Sequence, residues 1–96
     1  MTESKVIENN VEYNVTVDEK GSKAWYLNNQ LHREDGPTIE MADGTKAWYL
    51  NGNPHRVDGP AVEFSSGTKR WFIHGEQLTQ EEFKEVTYLT DVIKTL

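Results

Sequence analysis

The sequence predicts a mainly β fold: an antiparallel meander of repeated β-hairpins, capped by one C-terminal amphipathic helix. Three observations predict it. Gly21, Gly44 and Gly67 are 23 residues apart, and so are Trp25, Trp48 and Trp71. Short aromatic and aliphatic runs follow these glycines, bounded by Gly, Asn and Asp turn signals. Beyond residue 79 the apolar spacing changes to steps of three and four, the period of a helix.

The repeat orders the chain. Residues 21–43 and 44–66 agree at 13 of 23 positions. A third copy starts at Gly67 and stops matching after Gly75, and a degenerate half-copy runs from Val11 to Lys20. The 96 residues fit a single domain. Its parts are an N-terminal half-repeat (1–20), two repeats (21–43 and 44–66), a partial repeat (67–78) and a capping helix segment (79–96).

Each copy reads as two short strands. Lys46-Ala47-Trp48-Tyr49-Leu50 favours a strand, and Asn51-Gly52 ends it. Asp58-Gly59-Pro60 punctuates again before Ala61-Val62-Glu63-Phe64. Asp43-Gly44 is a short hairpin signal, and Ser65-Ser66-Gly67 makes the corresponding turn one unit later. Strands are expected near 11–17, 23–28, 38–42, 46–50, 61–64 and 69–73. Side chains alternate along a strand. Trp25, Trp48 and Trp71 therefore form one row, and Tyr26, Tyr49 and Phe72 form a row on the opposite face.

In the tail, Thr79 and Glu82 make a capping box. Phe83, Val86, Leu89, Ile93 and Leu96 then form an apolar stripe, which predicts a helix over about 80–94. A helix of about 15 residues is about 22 Å long, enough to cover much of one face of the sheet but hardly two. The aromatic row that it misses is expected to be exposed.

Composition narrows the function. Hydrophobic residues are only 35%, yet aromatics are 10%, which suggests a thin core built from large rings rather than a disordered chain. The net charge of −6 argues against direct nucleic-acid binding and against an anionic membrane surface, and it suits a basic protein partner. No cysteine is present, which removes disulfides and thiolate chemistry. No apolar run approaches a membrane span, and Met1-Thr2-Glu3-Ser4-Lys5 opens no signal peptide, so a cytoplasmic location is expected.

Trp48-Tyr49-Leu50-Asn51-Gly52-Asn53-Pro54-His55 resembles the tryptophan, asparagine–glycine and histidine segment of MORN repeats, which share this repeat length. The copies depart from that family after the histidine, where Arg56-Val57-Asp58-Gly59-Pro60 replaces its Gly-x-Gly step. This variant is similar to a MORN-like repeat of small phage-encoded proteins, and Leu78 to Phe83 match the closing Leu-Thr-x-Glu-Glu-Phe of that group. The resemblance covers residues 21–83. It implies successive β-hairpins, an interaction scaffold, and a phage-type inhibitor of a host protein, for instance one blocking a bacterial defence complex. The location would then be the host cytoplasm.

The His-Arg-x-Asp-Gly-Pro motif occurs twice and has two readings. Arg33 and Arg56 could hold a phosphate or carboxylate, with His32 and His55 donating. Alternatively the motif is architecture: Asp35 and Asp58 cap the turn and pair with the arginines, and each His fills the space between hairpins. Recurrence at the repeat period favours architecture. His32, His55 and His74 lack the short spacing of a metal site. Ser65 and Ser66 have no visible base, and Glu81-Glu82 suit a helix N-terminus, so no catalytic residue and no cofactor is expected.

The expected function is therefore a non-enzymatic protein-binding module using Trp25, Tyr26, Trp48, Tyr49, Trp71 and Phe72. The alternative is a nucleotide-sequestering protein that uses His32, Arg33, Asp35, His55, Arg56 and Asp58. An acidic nucleic-acid mimic or a structural protein is a further alternative, although the 16 acidic residues are dispersed. Unpaired edge strands leave a homo-oligomer open.

Overall fold

The computed structural model describes the backbone of residues 1–95 and the side chains of residues 1–89. The chain opens with a hairpin of β1 (Thr2–Glu8) and β2 (Val11–Val17) around Asn9-Asn10. Both asparagines have positive φ, 52° and 65°, as a type I′ turn requires. β1 was not expected from the sequence. Its residues alternate poorly and most are exposed, so burial left little pattern to read. The Asn-Asn pair was the available signal.

β3 (Lys23–Leu27) then pairs with β2 through Lys23 to Tyr26. Its other edge is shared. Lys23 and Ala24 pair with β5 (Ile39–Glu40), whereas Tyr26 and Leu27 fold back onto β4 (Gln30–Leu31). Each unit therefore forks at its tryptophan. Trp25 N–H donates to the Thr38 carbonyl, and the Trp25 carbonyl accepts from His32 N–H. Trp48 repeats both bonds with Ala61 and His55. This fork splits the strand expected at 46–50 into β6 (Lys46–Ala47) and β7 (Tyr49–Leu50), the latter paired with β8 (Asn53–Pro54). β9 (Val62–Glu63) pairs with β6 and with β10 (Lys69–Ile73), which turns into β11 (Glu76–Leu78).

The resulting sheet runs β1-β2-β3-β5-β6-β9-β10-β11, with β4 beside β3 and β7-β8 as a separate pair. It is a mainly antiparallel β-meander followed by one helix. Turns recur with the repeat. Asn28-Asn29, Asn51-Gly52 and His74-Gly75 all take positive φ. Met41–Thr45 is a tight hairpin, where Gly44 N–H donates to the Met41 carbonyl and Gly44 sits at φ 97°. Only glycine adopts that conformation without strain.

The core is thin. Tyr13, Val15 and Trp25 are buried together, with Val6, Val11 and Leu27 packed against them. Tyr13 and Trp25 meet edge to face at 5.3 Å between centroids. The molecule measures 44 × 33 × 18 Å, so its short axis holds little more than one sheet and its side chains.

Helix α1 spans Gln80–Thr95. Its capping box forms as expected: Thr79 N–H donates to Glu82 Oε1 at 2.9 Å, and Glu82 N–H donates to Thr79 Oγ1 at 3.1 Å. Among the described side chains, the predicted cover is limited to Phe83. Phe83 is buried and tilts against Trp71 at 6.5 Å, but Leu89 is 59% exposed and Val86 42%. The helix contacts β10 and β11 at the end of the sheet. The side chain of Ile93 lies outside the described side chains, and Leu96 outside the described residues.

Truncating Phe83 therefore releases the helix from the sheet. Phe83→Ala is expected to cost about 3 kcal/mol, and Leu89→Ala less than about 0.5 kcal/mol. Urea unfolding followed by circular dichroism compares the two; equal losses would contradict this packing.

Candidate functional site

The two His-Arg-x-Asp-Gly-Pro segments follow β4 and β8 and return the chain to the main sheet. Each arginine lies flat on the tryptophan of its own unit. Arg33 Cζ is 3.7 Å from the Trp25 ring centroid, and Arg56 Cζ is 3.7 Å from that of Trp48. This is cation–π geometry, which favours the planar guanidinium over an ammonium. The glycine of the motif closes the other side. A Cβ on Gly36 would stand 3.0 Å from Arg33 Cζ, and one on Gly59 only 2.8 Å from Arg56 Cζ. Ring, guanidinium and glycine backbone thus form a three-layer stack.

The donors of each guanidinium are directed by the same loop. Arg33 Nη1 donates to the Pro37 carbonyl at 3.1 Å, and Arg56 Nη1 donates to the Pro60 carbonyl at 3.0 Å. The carboxylate partners differ. Arg33 grips both oxygens of Glu8, Nε to Oε1 at 3.1 Å and Nη2 to Oε2 at 2.8 Å. Arg56 uses Asp58 at 2.8 Å and, more loosely, Glu63 at 3.5 Å. The expected Arg33–Asp35 pair is therefore replaced by Arg33–Glu8. The cause is the unforeseen strand β1, whose last residue is Glu8. The Arg33 guanidinium holds the Glu8 carboxyl below its ordinary range.

The histidines join one unit to the next. His32 Nδ1 accepts from Asn51 N–H at 2.9 Å, and His55 Nδ1 accepts from His74 N–H at 2.8 Å. In each case the donor is the first residue of the following type I′ turn. Arg33 N–H to the Tyr49 carbonyl and Arg56 N–H to the Phe72 carbonyl run beside these bonds, both at 3.2 Å. The His55 and His74 rings stack at 4.1 Å. Burial pushes the His55 pKa down, and the neighbouring His74 adds to it. His32 lies one unit away, against Tyr13. Among the described residues, no three His, Asp or Glu side chains gather as metal ligands.

The predicted contact rows are placed differently from expectation. Trp25 is buried, 5% exposed, and Arg33 covers it, so it offers no contact surface. Trp48, Trp71, Tyr26, Tyr49 and Phe72 are all half-buried, and neither row is bare. The repeats' own arginines supply the cover that was expected from the helix. What remains open is a cleft of about 680 Å³ between the two loops. Trp48, Leu50, Pro37 and Val57 form its apolar lining, and Arg33, Arg56, Glu34, Asp35 and Asp58 add both charges. Val57 is 56% exposed.

Thr38 was not singled out in the sequence. It is fully buried, and its hydroxyl donates to the Tyr49 carbonyl at 3.1 Å and accepts from Tyr49 N–H at 2.8 Å. Its repeat equivalent is Ala61, so the period itself hid it.

The chain was compared with protein-family models, curated proteins and solved structures, and none matches.

The titration shifts predict the acid response. Because the folded state binds the His55 proton less readily than the unfolded chain does, stability from neutral His55 is complete above its ordinary pKa of 6.5. It is lost as pH falls below that value. Glu8 and Glu82 are held below 4.5 and Asp43 below 3.8, so their contributions are lost at lower pH still. Unfolding midpoints against pH should fall in two stages, and His55→Asn should remove only the upper one. A single carboxylate-range stage in the native protein would refute the His55 assignment.

Proposed function

We propose that this chain is a non-enzymatic protein-binding module, and that the cleft between its two His-Arg-x-Asp-Gly-Pro loops receives the partner. One observation carries the reading. The cleft combines an apolar lining of Trp48, Leu50 and Val57 with carboxylates and with arginines whose geometry is already fixed by their own stacks. Tryptophan and arginine held in place before contact are what binding hot spots use, because little conformational freedom is lost on association. The net charge of −6 favours a partner that is basic around the contact. The resemblance to small phage-encoded repeat proteins extends the proposal to an inhibitor that occupies a host protein, such as part of a bacterial defence complex.

Tyr26, Tyr49, Trp71 and Phe72 stand outside this cleft and have a secondary place in the reading. Val57 is the residue to test, since it is exposed and contributes little to the fold. Immobilised protein is expected to retain one host protein at stoichiometric level from bacterial lysate. Val57→Glu should reduce that retention about tenfold, equivalent to roughly 1.4 kcal/mol, with unchanged thermal unfolding. Equal retention by the variant would remove the cleft from the proposal.

A second reading rests on Arg56. Its Nη2 makes none of the bonds described above, and its partner Asp58 has an 80% exposed side chain. Such an exposed pair is weak, about 0–1 kcal/mol, so an anionic small molecule could displace the aspartate. Calorimetry against a nucleotide panel separates the two readings. Heat that disappears in Arg56→Lys supports a nucleotide ligand, and no heat with any member eliminates it.

A further inference from the structure

The sheet ends differently on its two sides. β11 is contacted by α1. β1 pairs with β2 along its full length and, among the described residues, with nothing on its outer edge. A seven-residue strand with one open edge is a template for another strand.

The hairpin geometry states which groups are free. Glu8 and Val11 flank a two-residue type I′ turn, so they form a pair that exchanges both backbone hydrogen bonds. Bonding alternates from there. Glu8, Val6, Ser4 and Thr2 direct their N–H and C=O groups to β2, whereas Ile7, Lys5 and Glu3 direct theirs outward. The side chains alternate with them. Val6 packs against the core, and Ile7 on the other face is 73% exposed.

We propose that two copies of this chain pair edge to edge through β1, antiparallel, about a two-fold axis at Ser4. An isologous strand pair must place outward-bonding residues opposite one another, so the register can move only in steps that keep this phase. The register centred on Ser4 sets Glu3 opposite Lys5 of the second copy, twice over by symmetry. It sets Thr2 opposite Val6, and Met1 opposite Ile7. The neighbouring registers are worse. Centring on Lys5 opposes two lysines, and centring on Glu3 opposes two glutamates, both unfavourable across a strand pair.

Two further observations agree with this register. Met1 and Ile7 are the two most exposed large apolar side chains described, 83% and 73%, and the pairing brings them together on the outer face. Lys5 Nζ is 3.9 Å from Glu12 Oε1, which keeps the lysine on that same face. Glu8 lies beyond the paired segment, so its grip on Arg33 is untouched. The second copy continues the sheet without altering the cleft between the two loops or what binds there.

Charge reversal tests this register specifically. Sedimentation equilibrium of the native chain should give twice the 11.0 kDa of one copy. Glu3→Lys places lysine against lysine, and Lys5→Glu places glutamate against glutamate. Each variant alone should dimerise about tenfold more weakly, since two cross-strand pairs turn from attraction to repulsion. Mixed together, the two variants restore both Glu–Lys pairs, and the dimer should return as a heterodimer. Glu3→Pro should give a monomer with an intact hairpin, because the N–H it removes faces outward. A monomeric native chain, or dimers indifferent to these changes, would overturn the proposal.

Discussion

The structure depends on the seating of an arginine on a tryptophan. Among the described residues, six of the eleven strands are only two residues long, and strands of that length have little stability of their own. What holds them in place is the unit's large ring and the guanidinium that covers it. The ring stands at the fork where the strand leaves the main sheet for its local hairpin. The arginine fixes the loop that leads back, since Pro37 and Pro60 present their carbonyls to Nη1. Glycine follows from the same contact, because any Cβ would press on the guanidinium. Three residue types of the motif, arginine, glycine and proline, thus answer one packing problem.

The histidine then converts a local solution into an array. By accepting a hydrogen bond from the next unit's turn, His32 and His55 tie turns 19 residues away in sequence. Each unit contacts its neighbours and little beyond, the condition under which stability becomes a sum of units and nearest-neighbour terms. Such an array must be closed at both ends. At one end Glu8 closes it by gripping Arg33 with both oxygens. At the other, the position equivalent to Arg33 and Arg56 is Thr79, which caps the helix instead. Phe83, one turn into that helix, reaches Trp71 in place of the missing guanidinium.

This division explains what could be read in advance. The period, the turns at Asp43-Gly44 and Asn51-Gly52, the strands β2, β3, β5, β9 and β10 and the Thr79–Glu82 cap all depend on local chemistry, and local chemistry is visible in a sequence; the short return strands β4, β8 and β11 were not foreseen, because the fork that creates them is not local. The cover of the tryptophans was not, because it depends on residues eight positions apart meeting across a fork. Charge on Arg33 and Arg56 suggested ligands or ion pairs, whereas their flat faces mattered as much. Glu8 was hidden because β1 is mostly exposed and carries little apolar alternation. Thr38 was hidden because its equivalent is alanine, so comparison of copies marked the position as variable.

The same logic separates what each copy can do. Arg33 is locked by two charged bonds from outside its own repeat, to a carboxylate that is itself largely covered. Arg56 leans on Asp58, two residues along the same loop and mostly in solvent. A salt bridge that uses a short local loop and an exposed carboxylate is more easily exchanged than one spanning 25 residues. The repeats are alike in architecture and unlike in availability. The cleft lies between them, with its fixed wall at Arg33 and its more yielding wall at Arg56 and Val57. Recurrence therefore marks what holds the fold, and the departures from recurrence mark where a partner can enter.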